Sequence, residues 1–427
     1  MGRWAVFVVV VAAAAGRAQN EVEPAVLTLA RVKRRMAENL ARLPNYTCLQ
    51  TIERATRRTG SRKYQLLDTM RLEVGLVGGK ELFAWPGAGR FEDRRLEDFA
   101  APGGAIGNGS FALHARAVFL GSAPVFRFAG RETIDGRTLA RYDFEVAQPF
   151  SGFQVRSGDA TAIVGYHGSF WAGEETFDLV RFEIRAEDLP PVLRLASVSD
   201  VMHYARVPIG GGEFLLPVSS EMTMIDLRAN ESRNRIRFSN CQQYTGESVV
   251  RFGDPPDAAP AATPAPVSPR VFEMPADLPL EIELTSPIES GQSAIGDRVT
   301  AVLFRDARLK GRTVVPKGAL LSGRLVHLER RHAFLGRGEV SVMVVGIEFK
   351  TVESSAGRAD FSARLEEIGP VAVPGMRTDS SRPVITGQNG WGSPLRPGVG
   401  MFMLKGDTIK LGRGFRMIWR VIGGPGG

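Results

Sequence analysis

The chain has 427 residues, of which 44% are apolar and 23% are charged, with 48 glycines and 26 prolines. This much apolar sequence is enough for two or three packed cores, which excludes a wholly disordered protein. Two cysteines and five histidines, none of them in a metal-ligand spacing, exclude a protein built around several metal ions or a cysteine-rich redox centre.

The net charge of +8 is unevenly distributed. Residues 280–427 hold most of the excess, with 21 Lys and Arg against 14 Asp and Glu. Of the 54 cationic residues, 46 are arginines, and they are spread through predicted strands rather than clustered. This distribution does not favour a nucleic-acid partner, although it leaves open a weak affinity for anionic envelope surfaces.

Residues 1–18 predict a cleaved signal peptide. Arg3 precedes an apolar run from Ala5 to Ala15, and small residues then lead to a cleavage point before Gln19. The alternative is a membrane anchor, which needs about 20 apolar residues and is longer than this run. No later stretch has the length of a membrane span, so the sequence predicts no transmembrane helix in the mature chain. We expect export to the periplasm or the outer envelope of a bacterium.

Export changes the interpretation of the two cysteines. In an oxidising compartment an even number of cysteines favours pairing, so Cys48 and Cys241 are predicted to form a disulfide. On the chain-entropy model, closing such a loop stabilises the fold by roughly 4–5 kcal/mol. The alternative is two buried free thiols. A catalytic thiol is disfavoured because neither cysteine has a histidine near it in sequence.

The first elements of the mature chain are predicted to be one helix and several strands. Apolar residues three or four apart between residues 24 and 43 predict an amphipathic helix that ends before Pro44. Beyond Pro44 the period becomes two, which is typical of strands with one polar face. The pair Asp135-Gly136 predicts a tight hairpin turn, and strands joined by hairpins imply an antiparallel sheet. The clearest alternating segments are Met70–Leu76, Ala140–Val146 and Val180–Ile184.

A proline-rich segment divides the chain. Residues 254–279 contain eight prolines, which favours a stiff extended linker. Residues 366–400 are predicted to be one long loop, either functional or disordered, in which Trp391 favours a contact role. Strand patterns resume between and around these segments, at Leu280–Leu284, Val299–Leu303, Thr313–Val315, Leu320–Leu328, Val340–Phe349, Phe361–Leu365 and Phe415–Ile422.

The histidines do not predict an active site. His327 and His332 are five residues apart, whereas a zinc helix needs a separation of four, so both are predicted to be surface residues. His114, His167 and His203 are isolated and are predicted to lie in loops or at strand edges.

The carboxylates do not predict an active site either. The adjacent pairs Glu174-Glu175 and Glu366-Glu367 would point to opposite faces of a strand. We therefore predict no catalytic residue, no cofactor and no metal ligand. Distant carboxylates or a Ser/His pair could still meet in the fold, which leaves an enzyme open.

Three segments of the N-terminal region resemble the outer-membrane lipoprotein-carrier and sorting family: Gly130–Arg137, Phe177–Arg185 and Phe214–Pro217. The resemblance implies a helix-backed, curved antiparallel sheet whose concave apolar face holds acyl chains. The segments Asn45–Cys48 and Ser239–Cys241 also resemble uncharacterised exported proteins of soil bacteria.

The C-terminal region has a resemblance of its own. The segments Val315–Arg324 and Gly406–Lys410 are similar to the β-barrel module of the envelope-spanning subunit of type IV secretion systems. This resemblance implies a β module that takes part in assembly.

Together these observations predict a mainly β protein in four parts. After the signal peptide (1–18), an amphipathic helix packs on a curved antiparallel sheet (19–253), followed by the linker (254–279) and a smaller basic β domain (280–427). The leading functional hypothesis is a non-enzymatic envelope protein that binds a lipid, another apolar ligand or an envelope protein on its curved sheet. The alternatives are a structural or assembly component of an envelope complex, and an envelope hydrolase.

Overall fold

The protein is described by a computed structural model that covers residues 24–88, 91, 96, 99, 111–158, 160–244, 271–335, 338–369, 383–387 and 394–422. Within these residues the chain forms two α-helices and 25 strands, so the fold is mainly β, as predicted. The predicted signal peptide, Trp391 and residues 254–270 of the predicted linker lie outside the described residues.

The first sheet is built from the N-terminal region. It has ten antiparallel strands in the order β3-β2-β1-β12-β11-β10-β9-β8-β5-β4, and β6 pairs with β7 in a separate hairpin. The helices are α1 (Pro24–Arg42) and α2 (Leu113–Leu120). The strands are β1 (Tyr46–Arg57), β2 (Gln65–Val77), β3 (Lys80–Ala84), β4 (Val125–Ile134), β5 (Arg137–Val146), β6 (Gln154–Ser157), β7 (Ala160–Ile163), β8 (Tyr166–Gly173), β9 (Leu179–Ala186), β10 (Leu195–Ile209), β11 (Gly212–Asp226) and β12 (Glu231–Gln243).

The local signals in the sequence are confirmed in this region. Helix α1 ends at Arg42, two residues before Pro44, because proline disfavours a helical conformation in the residue before it. The hairpin between β4 and β5 turns at Asp135 and Gly136, whose φ angles of 50° and 74° are the positive values that such a turn requires.

The second sheet is built from the C-terminal region and nearly closes on itself as a barrel. Its main path runs β21-β25-β13-β15-β18-β19-β23-β22, and β20 pairs with β19. The Gly398 N–H donates to the Ala363 carbonyl at 2.8 Å and brings β21 close to β23. The strands are β13 (Pro279–Leu284), β14 (Ile288–Glu289), β15 (Arg298–Leu303), β16 (Ala307–Leu309), β17 (Arg312–Val315), β18 (Leu320–Leu335), β19 (Gly338–Ser354), β20 (Gly357–Asp360), β21 (Ala363–Ile368), β22 (Val384–Thr386), β23 (Val399–Lys405), β24 (Lys410–Leu411) and β25 (Arg416–Val421).

The prediction of one long loop over residues 366–400 is wrong. Strand β21 continues to Ile368, β22 lies within the segment, and β23 begins at Val399. The sequence of β23 carries adjacent apolar residues instead of alternating ones, and three consecutive residues, Gly400 to Phe402, are buried. A strand that is buried on both faces has no period of two, which is why alternation missed it.

The two sheets contact each other through strand β2. Ile295 forms a parallel bridge with Met70, exchanging backbone hydrogen bonds of 2.8 Å with Thr69 and Arg71. The Arg71 guanidinium reaches both Asp297 carboxylate oxygens, at 2.7 and 2.6 Å. Apolar residues of both sheets therefore belong to one continuous core.

The C-terminal end of the predicted linker lies on the second sheet. The Phe272 N–H donates to the Arg358 carbonyl at 3.0 Å, Leu278 is fully buried, and β13 begins at Pro279. The division of the chain into two domains around residues 254–279 stays a prediction.

The two cysteines are joined in the first sheet. Cys48 in β1 and Cys241 in β12 form a disulfide with Cα atoms 4.1 Å apart, at a sequence separation of 193. Strands β1 and β12 are also paired by backbone hydrogen bonds, so the disulfide covalently links two strands that are already neighbours.

Candidate functional site

The inner face of the first sheet is lined with aromatic rings at one end. Tyr142, Phe144, Phe170 and Phe182 alternate with outward polar residues on β5, β8 and β9, and all are buried. The rings of Tyr142 and Phe170 stack with centroids 5.2 Å apart, and those of Phe144 and Phe182 stack at 5.3 Å. These four residues form a continuous surface that we call the aromatic patch.

The two helices cover the aromatic patch. Val32 and Met36 of α1 and Phe119 of α2 belong to the same apolar cluster as the patch. The Phe119 ring lies 5.1 Å from that of Phe170. The helices therefore separate an aromatic interior from solvent.

Helix α1 is attached by side-chain hydrogen bonds near its two ends, and in its middle Arg35 contacts Asp178 at 3.4 Å and Lys33 lies over the Phe126 ring. The Asn39 side-chain amide donates to the Leu215 carbonyl at 2.9 Å and accepts the Leu215 N–H at 2.8 Å. At the other end, the Tyr142 hydroxyl donates to the Ala25 carbonyl at 2.8 Å. Burial raises the pKa of Tyr142, so this hydroxyl remains a neutral donor at ordinary pH.

A row of buried polar side chains crosses the inner face at β1. Tyr46, Gln50 and Arg54 lie four residues apart on this strand and so share its inner face. Asp68 of β2 and Asn234 of β12 are the direct neighbours of Arg54 on either side. Each of the five is at most 3% exposed, and we call them the polar stripe.

Arg54 and Asp68 neutralise each other within the polar stripe. The Arg54 Nε donates to Asp68 Oδ1 at 2.8 Å, and a second guanidinium nitrogen donates to Oδ2. Both side chains are almost fully buried, at 2% and 0% exposure. Two charges removed from water in this way are tolerated only when they are paired in good geometry.

Several polar atoms in the other members of the polar stripe have no hydrogen-bond partner among the described residues. These buried atoms are the Tyr46 hydroxyl, Gln50 Oε1, and Asn234 Nδ2 and Oδ1. Buried polar atoms in folded proteins are nearly always paired, and each unpaired one costs about 1–3 kcal/mol. Burial, followed by the nearby Glu81 carboxylate and Tyr204, raises the pKa of Tyr46 well above its usual value, so its hydroxyl is neutral.

The prediction that His114 lies in a loop or at a strand edge is wrong. His114 is in α2, where it is 8% exposed and packs edge-on against the Phe153 ring at 5.2 Å. Burial lowers the pKa of His114, and the charge of Asp200 acts in the opposite direction. His167 and His203 lie in β8 and β10 with exposed side chains.

The prediction of a surface position is also wrong for His327. It is 6% exposed, and its Nε2 lies 3.0 Å from Glu329 Oε2, to which the Arg331 Nε also donates at 2.8 Å. The three residues alternate along β18, which places them on one face where they pair with each other. His332 is exposed, as predicted.

A second candidate site is a groove of about 550 Å³ on the outer face of β4, β5, β8 and β9. The groove places His167 and Ser169 close to several carboxylates. Their spacing in the sequence did not predict this. The Ser169 hydroxyl donates to Asp143 at 2.8 Å, whereas His167 Nδ1 lies 2.5 Å from Glu187. Serine and histidine thus contact different carboxylates, and the described residues form no Ser–His–carboxylate relay.

The charges of this outer groove are largely paired. Asp143 contacts Arg127 at 2.6 Å and Arg141 at 3.3 Å, and Glu183 lies 3.9 Å from Arg185. This arrangement of paired charges is typical of a polar protein surface.

The described residues contain neither a candidate metal site nor a candidate membrane-spanning helix. No group of three or more His, Cys, Asp or Glu side chains there could hold a metal ion. No helix among these residues has both the length and the apolar character needed to cross a membrane.

Neither a family model nor a curated protein matches the sequence. Among solved structures, the chain is similar to a DUF1329 family protein from Desulfovibrio piger, with 12% identity, a TM-score of 0.31, and coverage of 53% of this chain and 95% of that one. It is also similar to a putative outer membrane lipoprotein-sorting protein domain from Vibrio parahaemolyticus, with 12% identity, a TM-score of 0.29, and coverage of 51% and 94%. A LolA superfamily protein from Nitrosomonas europaea has 13% identity, a TM-score of 0.25, and coverage of 52% and 94%. Identities and TM-scores this low transfer no ligand or role to this chain.

Proposed function

We propose that the protein is an exported envelope protein that binds an apolar, acyl-chain-like ligand on the inner face of its first sheet. The observation that carries this proposal is the aromatic patch covered by helix α1, which is attached at a few points. In this proposal α1 moves aside, the ligand packs on the patch, and the helix closes over it.

The free-energy cost of displacing helix α1 is no larger than the gain from burying a long acyl chain. Of the 19 residues of α1, Val32 and Met36 are the buried ones, and Val26 and Leu27 are 51% and 46% exposed. Exposing two such side chains costs about 3–6 kcal/mol. Burying a chain of about ten methylene groups returns about 8 kcal/mol, at about 0.8 kcal/mol each. A long acyl chain can therefore replace the contacts of the helix.

Two features support the exported location. The signal-like segment 1–18 precedes the described residues. The structure joins Cys48 to Cys241, and structural disulfides persist in oxidising compartments such as the periplasm.

Binding of a fluorescent acyl chain tests the proposal. We expect lipid-stripped protein to bind cis-parinaric acid saturably. Asn39→Ala and Tyr142→Phe should each speed association several-fold, because each removes one attachment of α1. Glu38→Ala is the matched control on the same helix, since the ion pair that Glu38 makes among the described residues is an exposed i,i+4 contact with Arg34.

The same experiment can contradict the proposal. If the stripped protein shows no saturable binding, and native mass spectrometry of the exported protein recovers no lipid, the proposed function is wrong. Equal association rates in the Asn39, Tyr142 and Glu38 variants would show that α1 is not the moving cover.

A further inference from the structure

We propose that Asn234 in the polar stripe hydrogen-bonds a neutral amide group of the ligand, so that the ligand is an acyl amide rather than an acyl ester, a free fatty acid or a plain hydrocarbon. This inference rests on the proposed function and specifies the chemical class of its ligand. It is carried by the buried polar atoms that the protein itself leaves unpaired.

Asn234 is placed to recognise a polar group within an apolar surface. It lies in β12 between Arg54 of β1 and Met222 of β11, and it is 1% exposed. Its Nδ2 and Oδ1 both lack a hydrogen-bond partner. A side-chain amide presents a donor and an acceptor in one plane, which is the complement of another amide group.

The charge balance around Asn234 favours a neutral group. The adjacent Arg54 guanidinium is bonded to both Asp68 oxygens, so its charge is already neutralised. A fatty-acid carboxylate would bring an additional negative charge into this buried region, next to Asp68. Desolvation of such a charge is unfavourable, whereas a neutral amide adds no charge.

A second unpaired atom favours an amide over an ester. Gln50 Oε1 is a buried acceptor without a donor, four residues from Arg54 on the same face of β1. An amide N–H can satisfy an acceptor of this kind, but an ester has no N–H to donate. Asn234 Oδ1 and Gln50 Oε1 can each accept a hydrogen bond from a ligand N–H, but Gln50 lies about 13 Å along β1 from the residue opposite Asn234, so one amide group satisfies only one of them.

Competition between matched ligands tests the inference. We would displace bound cis-parinaric acid with hexadecanamide, methyl hexadecanoate and hexadecanoate, which share one chain length. The wild-type protein should bind hexadecanamide at least ten-fold more tightly than the methyl ester. Asn234→Leu, which is similar in size, should remove this preference.

Control variants separate recognition from a general change in the sheet. Gln242→Leu alters an exposed amide on the same strand and should keep the preference for hexadecanamide. Asn234→Leu should also raise the urea midpoint, because it removes two buried unpaired atoms. If Asn234→Leu does not fold, the wild-type competition alone still decides whether the protein prefers the amide to the ester.

The outcomes distinguish the inference from the proposed function. If cis-parinaric acid binds but hexadecanamide and the methyl ester displace it equally, the amide inference is overturned and apolar binding stands. If hexadecanoate displaces it best, the neutral-ligand inference is overturned. If native mass spectrometry shows that neither cis-parinaric acid nor hexadecanamide nor the methyl ester binds, the proposed function itself fails.

Discussion

The two sheets of this protein cover their apolar faces in different ways. The second sheet curls so that its own strands fill its interior, where Val345, Phe402 and Trp419 are fully buried. Gly400 allows the Trp419 ring to approach closely, since a Cβ at that position would lie 2.6 Å from it. In the first sheet, helices α1 and α2 cover the aromatic patch, whereas apolar residues of β1, β2 and β12 share a core with the second sheet.

Buried polar atoms without a hydrogen-bond partner among the described residues occur in both sheets. In the first sheet they include the Tyr46 hydroxyl, Gln50 Oε1 and two Asn234 atoms of the polar stripe, and in the second they include Trp419 Nε1 and Ser341 Oγ. The aromatic patch covered by helices, beside the polar stripe, supports our proposal that the ligand binds the first sheet, on whose strand β2 the second sheet is docked.

The largest expected effect comes from the disulfide, which belongs to the first sheet alone. Replacing Cys48 and Cys241 by alanine should lower the free energy of unfolding by up to about 5 kcal/mol, because their 193-residue separation closes a long loop. Urea denaturation measures the loss, and hydrogen exchange should locate it in β1 and β12. Wild-type protein under reducing conditions should match the double variant. A loss below about 1 kcal/mol would show that pairing of β1 with β12 suffices.

The next effect tests the buried pair of the polar stripe. Asp68→Leu should destabilise the protein by about 3–5 kcal/mol, because it leaves the Arg54 charge buried without its main partner. Arg54→Met combined with Asp68→Leu should recover most of this loss in urea denaturation, since no charge is then buried. If the double variant is as unstable as Asp68→Leu, loss of packing rather than loss of charge pairing is the cause.

Part of this arrangement could be predicted from the sequence. The proline at position 44, the Asp135-Gly136 turn and the alternation of Met70–Leu76 act locally, so they predicted α1, the β4–β5 hairpin and β2 correctly. The polar stripe could not be found this way. Alternation in β1 shows that Tyr46, Gln50 and Arg54 share a face, but the opposite face is equally mixed in polarity.

The residues that surround the inner face of β1 are set by the strands that pair with it in the fold. Asp68 lies opposite Arg54 only because β2 pairs with β1 in a particular register. His114 and His327 were misplaced for the same reason, since their burial comes from elements distant in sequence. Pairing of β1 with β12, almost 190 residues away in sequence, supplies Asn234 to the stripe.

An effect of intermediate size tests how much the contact between the second sheet and β2 contributes to stability. Gly296 has a φ of +100°, and a Cβ there would lie 2.2 Å from the Arg71 carbonyl oxygen. Gly296→Ala should cost about 3 kcal/mol in urea denaturation, from backbone strain and the clash with β2. Gly291→Ala is the control, because its φ of +82° is similar but no atom lies within 4 Å. Equal losses in both variants would mean that backbone strain, and not docking on β2, accounts for the effect.

The smallest expected effect concerns helix α2, one of the two helices that cover the aromatic patch, and it depends on pH. Burial lowers the pKa of His114 in α2, so below its ordinary value of about 6.5 the unfolded chain binds a proton that the folded chain resists. Stability is therefore complete above about pH 6.5 and falls as the pH drops from there towards the folded pKa. The loss should grow as the pH falls below 6.5 and should level off below the folded pKa of His114.

His114→Phe should remove most of this loss, because it keeps an aromatic ring beside Phe153 and cannot take up a proton. His203, whose pKa is lowered by partial burial and by Arg181, adds a smaller change of the same sign. The carboxylates with lowered pKa, Glu132 among them, lose their stabilising effect only below about pH 4.5 and stay outside this range. His332→Gln, at an exposed histidine, is the control and should keep the wild-type slope. If hydrogen exchange at pH 5.5 shows faster opening of α2 in the wild type than in His114→Phe, protonation of His114 acts on the helix that covers the first sheet. Equal opening in both proteins would place the titrating group elsewhere.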